Sequence, residues 1–208
     1  MRIGIYGGTF NPVHIGHLHV ADVAASALHL DRVIFVPTGN SYMKSDVDMA
    51  SGWCRLMMIN FACQNDDRFF VSKVDLQREG PTYTIDTMRD MKALYPQDKL
   101  FFIIGADSLE QLPKWKNIEE LIKEVSFIVV GRKGIKMEIP KPIKQMKDYD
   151  IFIIRDAIKL DVSSSEIREA IKRGKSCKYL LPLNVYEYIL DHKLYKDWKL
   201  LERMTKGV

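Results

Sequence analysis

The chemistry in this chain is concentrated in Gly7-Gly8-Thr9-Phe10-Asn11-Pro12-Val13-His14-Ile15-Gly16-His17. Gly7 and Gly8 have no Cβ, so backbone N–H groups there can come close to phosphate oxygens. His14 and His17 are three residues apart, and in the first turn of a helix both rings face one ligand. Gly16 between them leaves room for a base or a ribose against that helix. The helix N-terminus adds partial positive charge toward a bound anion. Taken singly, a Gly-Gly pair after a strand is a turn, and a lone helical histidine is structural or exposed. Taken together, Gly-Gly-Thr-Phe-x-Pro-x-His-x-Gly-His fixes eight positions. Average residue frequencies put its chance occurrence in a chain of this length on the order of 10⁻⁸. Two imidazoles beside a phosphate cradle suit nucleotidyl transfer. Attack of a phosphate oxygen on the α-phosphorus of a nucleoside triphosphate builds charge on the phosphoryl oxygens and the departing pyrophosphate. It requires positioning and donors rather than an enzyme nucleophile. Imidazole titrates near neutrality, so neighbouring phosphates favour its charged form.

The elements that must hold this loop are legible from the rest of the chain. Short runs at 3–6, 32–37, 69–74, 100–104, 127–130 and 151–154, most of them continuously apolar, read as strands buried on both faces of a parallel sheet. Helix-length segments at 16–30, 52–64, 84–95 and 118–125 alternate with them, with strand starts about 25 to 37 residues apart. This predicts an α/β protein: a Rossmann-like open, doubly wound parallel sheet with C-terminal helices. In such a sheet the glycine loop, directly after the first strand, lies in the ligand crevice. Ser163 and Glu166 fit a capping box for a helix ending at Gly174, and Pro182 opens a last helix reaching about His192. Residues 131–147, with six basic side chains and two prolines, read as a solvated connection with a short helix near 143–146. The expected organisation is one domain over 1–208, with a sheet core at 1–160, a helical part at 161–195 and a tail at 196–208 without an assigned role.

Composition narrows the function classes. The chain has 208 residues, 47% hydrophobic and 28% charged, with a formal charge of +4. That is a globular balance, too weakly basic for a dedicated nucleic-acid binder but suited to polyanionic small molecules. Cys54, Cys63 and Cys177 are few and far apart, so reduced thiols in a cytoplasmic protein are expected. The N-terminus does not read as a signal peptide, and no apolar run approaches the roughly 18 residues that span a bilayer.

Beyond the loop, several segments carry a resemblance. Gly80-Pro81-Thr82-Tyr83-Thr84-Ile85-Asp86-Thr87, Ile103-Ile104-Gly105-Ala106-Asp107-Ser108, Leu112-Pro113-Lys114-Trp115, Val162-Ser163-Ser164-Ser165-Glu166-Ile167-Arg168 and Cys177-Lys178-Tyr179-Leu180-Leu181-Pro182 follow in order. With the histidine loop, which resembles the signature of the HxGH nucleotidyltransferase superfamily, they resemble bacterial nicotinate-nucleotide adenylyltransferases over about residues 2–195. The resemblance implies transfer of AMP from ATP to nicotinate mononucleotide, giving deamido-NAD and pyrophosphate, with Mg²⁺ carried by the ATP phosphates. It implies small-molecule partners without nucleic acid or membrane, and leaves homo-oligomerisation open.

It also implies roles for residues. His14, His17 and Arg168 would be catalytic. Gly7, Gly8, Thr9, Phe10, Gly16, Lys44, Gly105, Asp107, Arg132, Ser163, Ser164 and Ile167 would meet ATP. Trp115 would stack on the pyridine ring, with Thr84, Ile85 and Lys116 offering polar backbone groups to its carboxylate. Read without the resemblance, Trp115 is a loop anchor, Thr84 a helix N-cap, Arg168 a solvated helical arginine and Asp107 a cap. No set of carboxylates has metal-ligand spacing, so no metal ligand is named. Where the family carries Pro-Pro-His-Lys, this chain has Ser41-Tyr42-Met43-Lys44, and Asn11 stands where Asp is common. Competing expectations are the amide mononucleotide or another phosphate acceptor, and a catalytically silent nucleotide-binding regulator. The His-Ile-Gly-His letters also occur in class I aminoacyl-tRNA synthetases, but the chain leaves no room for an anticodon-binding domain.

Overall fold

The computed structural model describes residues 1–39, 49–131, 137–146 and 148–196. Six strands form one parallel sheet: β1 (Arg2–Gly8), β2 (Arg32–Pro37), β3 (Phe69–Val71), β4 (Lys99–Gly105), β5 (Ser126–Val130) and β6 (Ile151–Ile154). Their spatial order is β3-β2-β1-β4-β5-β6, and every neighbouring pair is parallel. The expected doubly wound fold is therefore present. The order reverses between β1 and β4, and a crevice opens at the carboxyl ends of those two strands.

The continuous apolar runs have a direct cause. Along β2, Val33 and Phe35 enter one core cluster while Ile34 and Val36 enter the other. The same alternation places Phe101 and Ile103 of β4 on one face, and Leu100, Phe102 and Ile104 on the opposite one. Both faces are covered, so no position is left for a polar residue. The first face is covered by α1 (Ile15–Leu28), α2 (Gly52–Cys63), α7 (Ser164–Lys172) and α8 (Leu183–Asp191). The second is covered by α3 (Thr84–Leu94), α5 (Ile118–Glu124) and the short α6 (Lys141–Lys144), while the single turn α4 (Ala106–Leu109) follows β4 directly. Among the described residues, no helix is long and apolar enough to cross a membrane. All three cysteines are free thiols.

Three local expectations change. The third strand ends at Val71 rather than at residue 74, and Val74–Leu76 instead form a 3₁₀ turn. That turn carries Asp75 inward, where the Thr87 hydroxyl at 2.9 Å and Arg78 Nη1 at 3.0 Å hold it. Thr84 is the first residue of α3, not its N-cap; Tyr83 holds that place. In α7 the Ser163 hydroxyl does cap, accepting from the Glu166 N–H at 3.3 Å. The Glu166 carboxylate, however, accepts a hydrogen bond from the Ser163 hydroxyl at 2.7 Å rather than reaching the backbone of the cap.

Candidate active site

The crevice is a cavity of about 800 Å³, lined from β1, β4 and the loops that follow them. Loop 9–14 turns sharply after β1: Phe10 takes a left-handed φ of 48°, and its ring folds back over Gly8. A Cβ on Gly8 would lie 2.9 Å from that ring, so a side chain there would have to displace it. His14 is the N-cap of α1, and its backbone N–H donates to His17 Nδ1 at 3.2 Å. An Nδ1 that accepts leaves the ring proton on Nε2, so His17 presents an N–H donor at its far edge. The two imidazoles lie nearly face to face, centroids 3.7 Å apart at 32°. Phe10 packs its ring against His17 at 5.0 Å, which leaves the ring little freedom to rotate.

The loop is held through its carbonyls. Arg55, only 2% exposed, donates to Thr9 O at 2.9 Å, Thr38 O at 2.8 Å and Ala50 O at 3.2 Å. Arg168 Nη1 donates to Asn11 O at 2.8 Å, and the Ser164 hydroxyl to Pro12 O at 2.9 Å. Among the described residues neither Arg55 nor Arg168 is in an ion pair with a carboxylate. Burial pulls the Arg55 guanidinium below its usual value, with the nearby Tyr195 opposing. Two cations without anionic partners thus stand behind and beside the loop, a setting that favours a polyanionic ligand.

At the other end of the cavity Trp115 is half-buried, its indole edge-on to Phe102 at 6.0 Å and Phe127 at 6.3 Å. Lys116 Nζ lies 3.9 Å above the Tyr83 ring and 3.6 Å from Asp86. These contacts fix an aromatic plate and a cation beside the N-terminus of α3, with Thr84 in the same wall.

A model of the cytidylyltransferase-like family matches residues 5–170. The nicotinate-nucleotide adenylyltransferase of Bacillus subtilis is 39% identical, over 94% of this chain and 99% of its own length. A protein of Leifsonia xyli named probable nicotinate-nucleotide adenylyltransferase is 41% identical over 94% of both chains. The chain belongs to the nicotinate-nucleotide adenylyltransferases. A Plasmodium falciparum nicotinic acid mononucleotide adenylyltransferase, solved with APC and with NaAD, shares this adenylyltransferase's fold. Both comparisons give a TM-score of 0.74 and 24% identity over 93% of this chain, with 96% and 97% of the Plasmodium chains covered.

In this adenylyltransferase one cavity gathers Gly7, Gly8, Thr9, Phe10, His14, Gly16, His17, Thr84, Gly105, Asp107, Trp115, Lys116, Ser163, Ser164 and Arg168. Residues more than 150 positions apart thus meet at one place. Ile85 and Ile167 do not line it: they are 1% and 0% exposed, with side chains in the two core clusters. The Ile167 N–H is already bonded to Ser163 O at 3.1 Å. Lys44, with its segment 41–44, and Arg132 lie outside the described residues. Gly16, which lines the cavity, has a second reason to lack a side chain. A Cβ there would meet Val162 Cγ1 at 2.8 Å and His14 Nδ1 at 3.0 Å. The missing side chain therefore admits Val162 against His14, rather than only a ligand.

Residue reasoning missed Arg55, Asp75 and the structural use of Asn11. For Arg55 a signal existed. It shares the spacing of Met58, Ile59 and Ala62, so α2 directs it inward with them. A cation on a core face must have partners, and here they are carbonyl oxygens.

Proposed function

We propose that this chain transfers AMP from ATP to nicotinate mononucleotide, releasing deamido-NAD and pyrophosphate. One observation supports the reading above the rest: His14, His17, Ser163, Ser164 and Arg168 share a single cavity with Trp115, Thr84 and Lys116. A triphosphate end and an aromatic-acid end are thereby joined in one space. The mononucleotide's 5′-phosphate oxygen attacks the α-phosphorus in line. The new P–O bond forms as the bond to the β-phosphate oxygen breaks, and pyrophosphate leaves without a covalent enzyme intermediate. His17 directs its Nε2–H at the α-phosphoryl oxygens, where charge grows. Arg168 and the serine-led start of α7 take the β- and γ-phosphates. The indole of Trp115 stacks on the electron-poor pyridine, and its carboxylate meets Lys116 and the first N–H groups of α3.

Among the described residues, the acidic side chains lining the cavity are Asp75, already tied to Arg78 and Thr87, and Asp107. Among the described residues no group of three or more His, Cys, Asp or Glu could hold a metal ion. This donor set fits Mg²⁺ that arrives on ATP and is coordinated by phosphate and water, with Asp107 the side chain available to it. When bound, Mg²⁺ neutralises charge on the β- and γ-phosphates.

The test is pyrophosphate release from ATP with nicotinate mononucleotide, nicotinamide mononucleotide, pantetheine phosphate and glycerol phosphate, side by side. The acid mononucleotide is expected to give the highest kcat/KM. An acid-to-amide ratio at or below one reverses the choice of acceptor. Nucleotide binding without turnover of any acceptor points to a regulator instead.

A further inference from the structure

The described chain ends beside its own beginning. After α8, Lys193 and Tyr195 take left-handed φ values of 54° and 63°, and the turn carries Tyr195 back toward the glycine loop. The Tyr195 hydroxyl donates to Asn11 Oδ1 at 2.7 Å, across 184 residues of sequence. The same oxygen accepts the Ala50 N–H at 3.0 Å. Asn11 is 5% exposed, so this carboxamide is clamped out of solvent from two sides. Its backbone carbonyl is the acceptor that Arg168 uses at 2.8 Å. Burial raises the Tyr195 phenol well above the usual tyrosine value, while Arg168 and Arg55 each pull it partly back. The group is therefore a protonated donor at neutral pH, and both guanidiniums are near enough to sense it.

We propose that Tyr195 is a positioning residue for adenylyl transfer: its hydroxyl fixes Asn11, and the Asn11 carbonyl fixes the Arg168 guanidinium that meets the triphosphate. An arginine side chain has several rotatable bonds and aims at a phosphate only if something selects one rotamer. Here the selecting acceptor is a loop carbonyl, which stays in place only while the Asn11 side chain is held. Without the phenol O–H, Asn11 Oδ1 loses its 2.7 Å donor, the loop peptide is held less firmly, and Arg168 has a less fixed acceptor. The defect then falls on the ATP side of the reaction and leaves the Trp115 end untouched. The inference rests on the reading of the cavity as an adenylyl-transfer site.

The experiment is a double-mutant cycle on the full chain: wild type, Tyr195→Phe, Arg168→Ala and the pair. Tyr195→Phe is expected to lower kcat/KM for ATP roughly five- to tenfold, the range of one lost buried hydrogen bond. KM for nicotinate mononucleotide should stay within about twofold. In the Arg168→Ala background Tyr195→Phe should cost nothing more, because residues acting as one unit are not additive. Wild-type activity in Tyr195→Phe, or a double mutant showing the product of both single losses, overturns the proposal. Equilibrium binding of a non-hydrolysable ATP analogue to the same four proteins gives a second readout with the same expected pattern. If the wild type releases no pyrophosphate with nicotinate mononucleotide, the functional reading fails, and the binding cycle alone decides the role of Tyr195.

Discussion

Replacing Arg55 by methionine keeps the length and the apolar stem of the side chain and removes its five donors. Three carbonyl oxygens, of Thr9, Thr38 and Ala50, then lose their shared partner. A hydrogen bond to a charged group is worth about 1.5–3 kcal/mol, and two of these three, at 2.8 and 2.9 Å, are well formed. Against that loss stands relief from burying a cation, whose cost shows in the lowered basicity of Arg55. Two bonds of that worth come to about 3–6 kcal/mol, and the relief brings the net loss to about 3–5 kcal/mol. For a chain of this size each kcal/mol moves Tm by about 2–4 °C, so a fall of about 6–20 °C is expected. Urea unfolding should show the lower midpoint with an unchanged slope. Thr9 and Thr38 belong to the loops after β1 and β2, so KM for ATP should also rise. A Tm within about 2 °C of wild type, with normal KM for ATP, would mean that those loops hold themselves and that the guanidinium is incidental.

His17→Ala should lower kcat at least about a hundredfold, the usual loss for a transition-state donor, with an unchanged melting curve; near-normal turnover refutes the role. Trp115→Ala should raise KM for the mononucleotide at least about fivefold, from a stacking worth of about 1 kcal/mol or more. An equal rise for ATP would remove the stacking assignment. The third test uses pH. Burial holds the Asp75 carboxyl above its usual value, although Thr87 and Arg78 pull the other way. The folded state thus keeps this proton more firmly than the unfolded one. The stability advantage of wild type over Asp75→Asn should shrink as pH rises from about 4 through the raised value. An advantage that grows over that range, measured by urea unfolding at several pH values, contradicts it.

The fold was legible because burial on both faces makes each strand an unbroken apolar run, as in Val33-Ile34-Phe35-Val36. The histidine loop was legible because its neighbours in space are also neighbours in sequence. Tertiary partners were not. Nothing near Asn11 announces that residues 50, 168 and 195 close on it. Nor does the Gly16 motif show that Val162 fills the space beside it. The third strand ends at Val71, where Ser72 and Lys73 break the apolar run, and Val74 enters a turn in which Thr87 and Arg78 hold Asp75. The side chains of Ile85 and Ile167 face the core, and the role expected of Ile85 belongs to its backbone at the start of α3.

The distance between Asn11 and Tyr195 along the chain has a consequence for synthesis. The central strand leaves the ribosome first, yet β4 flanks it only after residue 105 has been made. The latch on its loop waits for residue 195. A nascent chain halted anywhere between those points can hold most of the sheet but no finished nucleotide seat. Full catalytic efficiency therefore waits on residue 195, a late step in synthesis.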